Sequence, residues 1–179
     1  MRSRILAVAA CPVLLATAGQ AVAARGVIAP GAVDPVAKPR LTVGVPFRTL
    51  LVRWGQPVGC NIATGCTDTA GGVVFYPQSL SVVKAQDVTS FQVAARSWRT
   101  PKGARVGDST ARLVRLYGHR LQRVTDRSRF AGHGVDRVQY WVESGSLALG
   151  FGMTQRHVAS ILAASAADMP ALLARYGPQ

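Results

Sequence analysis

The chain has 179 residues, of which 49% are hydrophobic, so it is long and apolar enough for one ordinary domain or two very small ones. That composition is sufficient for a packed core. Lys and Arg number 21 against 8 Asp and Glu, giving a formal net charge of +13 that favours attraction to anionic partners.

The first 23 residues are typical of a cleavable export signal. Two arginines precede an apolar stretch over 5–18, and the small residues Ala-Val-Ala at 21–23 suit a signal peptidase. The apolar run is short for a transmembrane anchor. We therefore expect a mature chain that begins near Ala24 and is secreted, periplasmic or bound to the cell envelope. Residues 8–11 form an alternative lipoprotein box that would anchor the chain through Cys11.

Residues 24–40 contain three prolines and no hydrophobic period, which predicts a flexible or extended leader. We expect order to begin near Leu41.

Two thirteen-residue segments resemble each other: VGVPFRTLLVRWG at 43–55 and VGDSTARLVRLYG at 106–118. Both have apolar or small residues at i, i+3, i+4 and i+7, which predicts one buried helical stripe in each. Asp108 or Ser109 is placed to cap the second helix, and Arg112 and Arg115 fall on its solvent face. The stripes are Phe47, Leu50, Leu51 and Trp54, and then Thr110, Leu113, Val114 and Tyr117.

Each predicted helix is followed by sequence typical of strands. The strand segments are 71–77, 88–98, 138–143, 147–153 and 158–165. Residues 88–95 also resemble 158–165, so the similarity extends from a helix to a closing strand in the same order. The sequence therefore predicts an α+β fold of two tandem units, 41–100 and 101–166, each a helix packed on an antiparallel β-meander.

Residues 167–179 predict a C-terminal helix. Met169, Leu172, Leu173 and Tyr176 form another apolar stripe, with Asp168 as the cap. No strands follow, so we expect this helix to pack on the core instead of opening a third unit.

Removal of the signal leaves two cysteines, Cys60 and Cys66, in an exported chain. This pair predicts a disulfide that closes a short loop. Zinc is a weaker alternative because five residues separate the cysteines and no histidine lies nearby.

The segment VGDSTARLVRLYG resembles the opening motif of two related families, the β-lactamase inhibitory protein-like domains and the SmpA/OmlA outer-membrane lipoprotein domains. The matching positions are Gly107, Ser109, Thr110, Leu113 or Val114, and Gly118, with Gly44, Leu51, Gly55, Pro57 and Cys60 in the first half. Over Leu41 to Ala166 the resemblance implies helices packed on one face of an antiparallel sheet, in an exported tandem protein with disulfides. No inhibitory residue carries over.

The sequence lacks a marked catalytic or metal-binding constellation. His119, His133 and His157 have no ligand partner at i+2 to i+4, and there is no Gly-x-Ser-x-Gly or phosphate-binding glycine loop. We place His119 at a helix end, His133 in a loop and His157 at a strand start. No metal and no cofactor are predicted. An enzyme with an unmarked site, such as Asp126 with His133 or His119, remains an alternative.

Arginines concentrate in the first part of the second unit. Arg112, Arg115, Arg120 and Arg123 form the predicted basic patch. A solvated face is one interpretation, and attraction to anionic envelope or wall polymers is the other. Nucleic acid is disfavoured as a partner because the chain is predicted to be exported.

Strand alternation predicts which side chains face outward on the sheet. If Phe91, Val93 and Ala95 face the helices with Ile161, the intervening residues form an open surface. Its predicted members are Gln92, Arg96, Trp98, Gln139, Trp141 and Glu143, beside a flat strip of Ala148, Gly150 and Gly152.

Exposed tryptophans among small and polar residues are typical of a binding site. We therefore expect an exported, non-catalytic protein-binding module, inhibitor-like or assembly-like, with a basic envelope-associated structural protein as the alternative.

Overall fold

A computed structural model describes residues 26–36, 38–54, 59–61, 65–68, 73–77, 87–130 and 133–176. Within these residues the fold is α+β, as the sequence predicts, and most strands pair antiparallel. The predicted signal peptide and Cys11 lie outside the described residues. No helix in the described ranges is long and apolar enough to span a membrane.

The elements follow one another in the order strands, helix, strands, helix, strands, helix. The strands are β1 (Gly26–Ala29), β2 (Ala32–Pro35), β3 (Leu41–Thr42), β4 (Gly59–Asn61), β5 (Gly65–Asp68), β6 (Val73–Pro77), β7 (Val88–Val93), β8 (Trp98–Arg99), β9 (Gln122–Phe130), β10 (His133–Ser144), β11 (Leu147–Thr154) and β12 (His157–Ser165). The helices are α1 (Phe47–Trp54), α2 (Thr110–Tyr117) and α3 (Met169–Tyr176), and a 3₁₀ turn over Gly118–Arg120 follows α2.

The predicted flexible leader is wrong for residues 26–36, which form the hairpin β1–β2. The hairpin belongs to a four-stranded sheet in the order β3-β2-β1-β8. Ile28 and Val33 are fully buried in the core, so burial of apolar side chains offsets the entropy of ordering this segment. Pro30 and Gly31 make the turn, and Gly31 adopts the left-handed φ of 63°. That Pro-Gly pair between two short apolar runs was the turn signal available in the sequence.

The larger sheet has eight strands in the order β4-β5-β6-β7-β12-β11-β10-β9. It consists of two four-stranded meanders, each preceded by a helix, which meet at their last strands. Gln92 of β7 lies opposite Leu162 of β12, and Val93 and Phe91 lie opposite Ile161 and Ala163. The two meanders therefore share one continuous sheet.

The backbone before each helix bonds to the last strand of its own meander in the same way. Gly44 N donates to Val88 O and Val88 N donates to Val45 O, at 2.8 and 2.9 Å. In the second half Gly107 N donates to Val158 O and Val158 N donates to Asp108 O, at 2.7 and 2.8 Å. Gly44 and Gly107 both have a positive φ, 82° and 93°, which favours glycine at each position.

A lysine side chain donates a hydrogen bond to the last turn of α1, and another does so for α2. Lys38 Nζ donates to Trp54 O at 3.2 Å and lies 5.3 Å from the centre of the Trp54 ring. Lys102 Nζ donates to Leu116 O at 3.2 Å and lies 5.3 Å from the centre of the Tyr117 ring. Each ammonium thus satisfies a terminal carbonyl and meets an aromatic face.

The two helices pack on one face of the eight-stranded sheet. Phe47, Leu50 and Trp54 of α1 and Leu113 and Tyr117 of α2 are buried in one core cluster. Phe91, Val93 and Ile161 belong to the same cluster, which confirms the face predicted for them. We call α1, α2 and the segments that precede them the helix layer, and the opposite side of the sheet the outer face.

The predicted stripe of α2 is wrong at Val114, which is 51% exposed. Leu113 lies at the centre of the buried side, and the next residue is turned about 100° from it in an α-helix. Ser109 caps this helix as predicted, because its Oγ accepts from Arg112 N at 3.3 Å.

Candidate binding surface

The helix α3 packs on the outer face, over the second meander. Met169 and Leu173 are buried against Trp141, Leu162 and Ala164. A Cβ atom on Gly150 would overlap Met169 Sδ and approach Leu173 Cδ2 to 3.0 Å. The absent side chain of Gly150 is therefore what lets α3 lie close to the sheet. The helix α3 therefore packs on the predicted flat strip of small residues.

Trp141 is on the outer face as its register predicts, but the expected exposure is wrong. It lies opposite Gly150 in β11 and Gln122 in β9, and it is 8% exposed because α3 covers it. The alternation of β10 fixes only the side of the sheet. Whether that side meets water depends on α3.

Trp98 is fully buried, so its predicted place on the open surface is wrong. Strand β7 ends at Val93, and Trp98 lies in the separate strand β8, which pairs in parallel with β1. The turn between the two strands breaks the alternation. The ring of Trp98 occupies space that a Cβ atom on Gly26 would need.

Gln139 is also buried, at 1% exposure, and does not join an open surface. Its Oε1 accepts from Met153 N at 2.6 Å, where the register of β11 against β12 shifts between Gly152 and Met153. A bulge leaves a backbone group without its ladder partner, and Gln139 satisfies it.

The remaining three predicted residues do not form one cluster. Arg96 lies beyond the end of β7, with its guanidinium beside the backbone of Gly107. Glu143 is exposed at the end of β10, where its carbonyl accepts from Arg120 Nη2 at 2.8 Å. Gln92 is half-buried on the outer face of β7, and strands β11 and β12 separate it from β10.

On the outer face, the first meander has different residues from the second meander at the positions on which α3 packs. Gln92 lies directly opposite Leu162 at the junction, and Val74 lies opposite Gln92 as Gly150 lies opposite Leu162. Val74 and Gln92 are each half-buried, and Ala94, which follows β7, is exposed. We call Val74, Gln92 and Ala94 the first-half surface. Its side chains replace the glycine and leucine on which α3 packs.

Ser90 and Ser160 flank this junction on the outer face. Both hydroxyls are buried and have no hydrogen-bond partner within the described part of the chain. A buried hydroxyl left unbonded costs about 1–3 kcal/mol.

The predicted basic patch lies on the side of the helix layer. Arg112, Arg115, Arg120 and Arg123 are all exposed. Arg112 Nε lies 3.0 Å from Asp108 Oδ2, an exposed pair that contributes about 1 kcal/mol or less. Arg123 lies opposite Tyr140, whose ring joins the helix-side core. Sequence reasoning missed the strand β9 that carries Arg123, because its alternating residues are mostly polar.

The histidines lie apart from one another. His119 is exposed in the 3₁₀ turn after α2, and His157 begins β12, both as predicted. His133 begins β10, so its predicted place in a loop is wrong. No group of three potential metal ligands occurs among the residues that the structure describes.

Tyr117 links α2 to the loop before it. Its hydroxyl donates to Thr100 Oγ1 at 2.8 Å, and that oxygen also accepts from Ala104 N at 3.0 Å. Burial raises the pKa of Tyr117, and the bond to Thr100 opposes part of that rise. At alkaline pH the unfolded chain therefore loses this proton before the folded chain does, and stability falls as pH rises above about 10.

We expect Tyr117→Phe to lower the free energy of unfolding at neutral pH by about 0.5–1.5 kcal/mol, through loss of the bond to Thr100. The difference from the parent protein should shrink as pH rises past about 10, since phenylalanine has no proton to lose. Urea unfolding at neutral and alkaline pH measures the stability difference between the two proteins and its change with pH. A difference that stays constant across this range would contradict a buried, titrating Tyr117.

Cys60 and Cys66 lie directly opposite each other in the hairpin β4–β5. Opposed residues of antiparallel strands have Cα atoms about 4.5–5.5 Å apart, within the range of about 4.4–6.8 Å that a disulfide spans. The disulfide bond itself stays a prediction.

For the exported protein we expect no thiol to react under denaturing conditions without reductant, and two after reduction. Mass spectrometry of the alkylated chain counts them. Such a short loop contributes about 2 kcal/mol in the chain-entropy estimate. Two reactive thiols before reduction would rule the disulfide out.

Comparison with known proteins gives no match of the chain to a family model, a curated protein or a solved structure.

Proposed function

We propose that this chain is an exported, non-catalytic protein-binding module whose partner docks on the first-half surface. One observation carries the proposal, namely the difference between the two halves of the outer face. Gly150 and Leu162 seat α3 on the second half, whereas Val74 and Gln92 stand at the matching positions of the first half and are partly exposed.

The chemistry of the first-half surface suits a transient protein interface. Valine and alanine offer apolar area, and Gln92 adds a partly exposed polar side chain between them. A surface of this mixed kind stays soluble when it is free and still gains from apolar burial when it binds.

We further propose that the chain consists of two tandem units, 41–100 and 101–166. Three repeated features support this: the reciprocal bonds of Gly44 and Gly107, the matched meanders, and a lysine bonded to each helix end, of which Lys38 lies just before the first unit. The junction adds a fourth, because Gln92 pairs with Leu162, the residue that corresponds to it when 88–95 is aligned with 158–165. Paired equivalent residues are what a two-fold arrangement requires.

Export remains part of the proposal. The described fold begins at Gly26 in β1, so cleavage after Ala23 would remove no described strand. The resemblance to the β-lactamase inhibitory protein-like and SmpA/OmlA-like domains accords with a helix layer on one sheet face, and it stays a prediction.

Site-specific photo-crosslinking tests the docking surface. A photoreactive amino acid at Gln92 should give a discrete protein adduct in the envelope or medium of the producing cells. The matched control carries the same group at Val114, which is exposed on the opposite side of the sheet. The protein identified by mass spectrometry is then purified, and Gln92→Asp should weaken its binding at least tenfold, about 1.4 kcal/mol.

Equal adducts at Gln92 and Val114, or an unchanged affinity of Gln92→Asp for the purified partner, would contradict docking on the first-half surface.

A further inference from the structure

Two exposed apolar side chains belong to the helix layer. Among the described residues, the exposed large hydrophobics are Val36, Val52 and Val114, at 79%, 82% and 51%. Val52 belongs to α1 and Val114 to α2. Both therefore lie on the side of the sheet opposite α3.

Exposed arginines accompany these valines. Arg48 and Arg53 are exposed on α1, and Arg112 and Arg115 on α2. Residues 109–125 contain no Asp or Glu, and Arg120 and Arg123 extend the basic surface beyond α2. The side chains of the two helices thus combine positive charge with exposed apolar groups.

Among the residues that the structure describes, an acidic group lies at the start of each of these two helices. Asp87 lies opposite Pro46 at the start of α1, and Asp108 is paired with Arg112 at the start of α2. Asp34 is exposed in β2. The helix starts therefore carry the negative charge, and the later turns of both helices remain basic.

We infer that the helix layer binds the surface of an anionic lipid bilayer. Arginines attract the lipid phosphates, and valines gain from entering the interface between headgroups and acyl chains. A soluble polyanion would engage the arginines alone and gain nothing from the valines. The helix layer and the first-half surface lie on opposite sides of the sheet, so this inference is independent of the proposed protein partner.

Flotation of the mature protein with vesicles tests the inference. We compare phosphatidylcholine vesicles with vesicles that also contain phosphatidylglycerol, and expect binding to the second at low salt that weakens as salt rises. Each arginine near an anionic surface contributes about fivefold to binding, so Arg48→Gln with Arg53→Gln should weaken it about 25-fold.

The matched control changes net charge by the same amount on the outer face. At about 0.1 M salt, Gln92→Glu with Gln122→Glu should alter binding by about twofold or less, because screening then limits the reach of charge to about 10 Å. A loss of binding as large as that of the arginine variant would show that vesicle binding depends on net charge alone. That result would overturn the inference.

The valines separate a lipid surface from a soluble polyanion. Val52→Ser with Val114→Ser should weaken vesicle binding several-fold and leave elution from a heparin column unchanged. These side chains are exposed, so the variant should keep the melting temperature of the parent, which circular dichroism checks. Unchanged vesicle binding of this folded variant, or no binding of the parent protein to anionic vesicles, would overturn the inference.

Discussion

Trp98→Ala is expected to lower the free energy of unfolding by about 3–5 kcal/mol, since Trp98 is fully buried and its loss leaves a cavity. For a domain of this size that corresponds to a fall in melting temperature of roughly 6–20 °C. Trp141→Ala should cost a similar amount through the separate cluster under α3. Because the two tryptophans belong to different clusters, we expect their effects to add in the double variant.

Thermal and urea unfolding of both single variants and the double variant measure these effects. Val52→Ala is the control, because Val52 is 82% exposed and its truncation should change stability by about 0.5 kcal/mol or less. A double variant as stable as the parent would place the tryptophans on the surface and contradict the packing described above.

Gly150→Val is the second substitution with a large expected effect. The new side chain would meet Met169 and Leu173, so either α3 moves away or the sheet distorts. Overpacking of this kind costs about 1–3 kcal/mol, and loss of α3 from its seat would add to that. Increased cleavage by protease near residue 168 should accompany the lower stability, as α3 detaches.

A double-mutant cycle with Met169→Ala tests the cause. Removing the methionine side chain makes room for the valine, so the pair should be more stable than the sum of the single effects predicts, by about 0.5–3 kcal/mol. If the losses in the free energy of unfolding are strictly additive, Met169 does not lie over Gly150.

Much of the fold was available from periodicity. The stripes over 43–55 and 106–118 predict α1 and α2, and alternation over 88–98 places Phe91 and Val93 on the helix side. These segments were readable because each buries one face only, so the apolar residues repeat with the period of the element. The strand β9 was not readable in this way, since an edge strand rich in arginine has little apolar alternation.

The candidate site was less predictable, for two physical reasons. Alternation assigned Trp141 to the correct side of the sheet, but only the packing of α3 decides whether that side is covered. Trp98 was placed by continuing the parity of β7 through a turn, where parity has no meaning. The leader hairpin was missed because its stability comes from tertiary burial of Ile28 and Val33, which local sequence does not reveal.

The outer face is covered by α3 over its second half and is partly exposed at Val74, Gln92 and Ala94 of its first half. Gln92 and Leu162 are the most closely matched pair of positions for a test, because they lie opposite each other at the junction of the two meanders. Gln92 is partly exposed, whereas Leu162 is fully buried under α3.

Single-cysteine variants Gln92→Cys and Leu162→Cys are labelled with a thiol reagent under native conditions, each normalised to its rate in urea and to the parent protein. We expect the cysteine at position 92 to react at least tenfold faster than the one at position 162. We also expect Met169→Ala with Leu173→Ala to remove the protection at 162. Equal native rates at the two positions would contradict the division of the outer face.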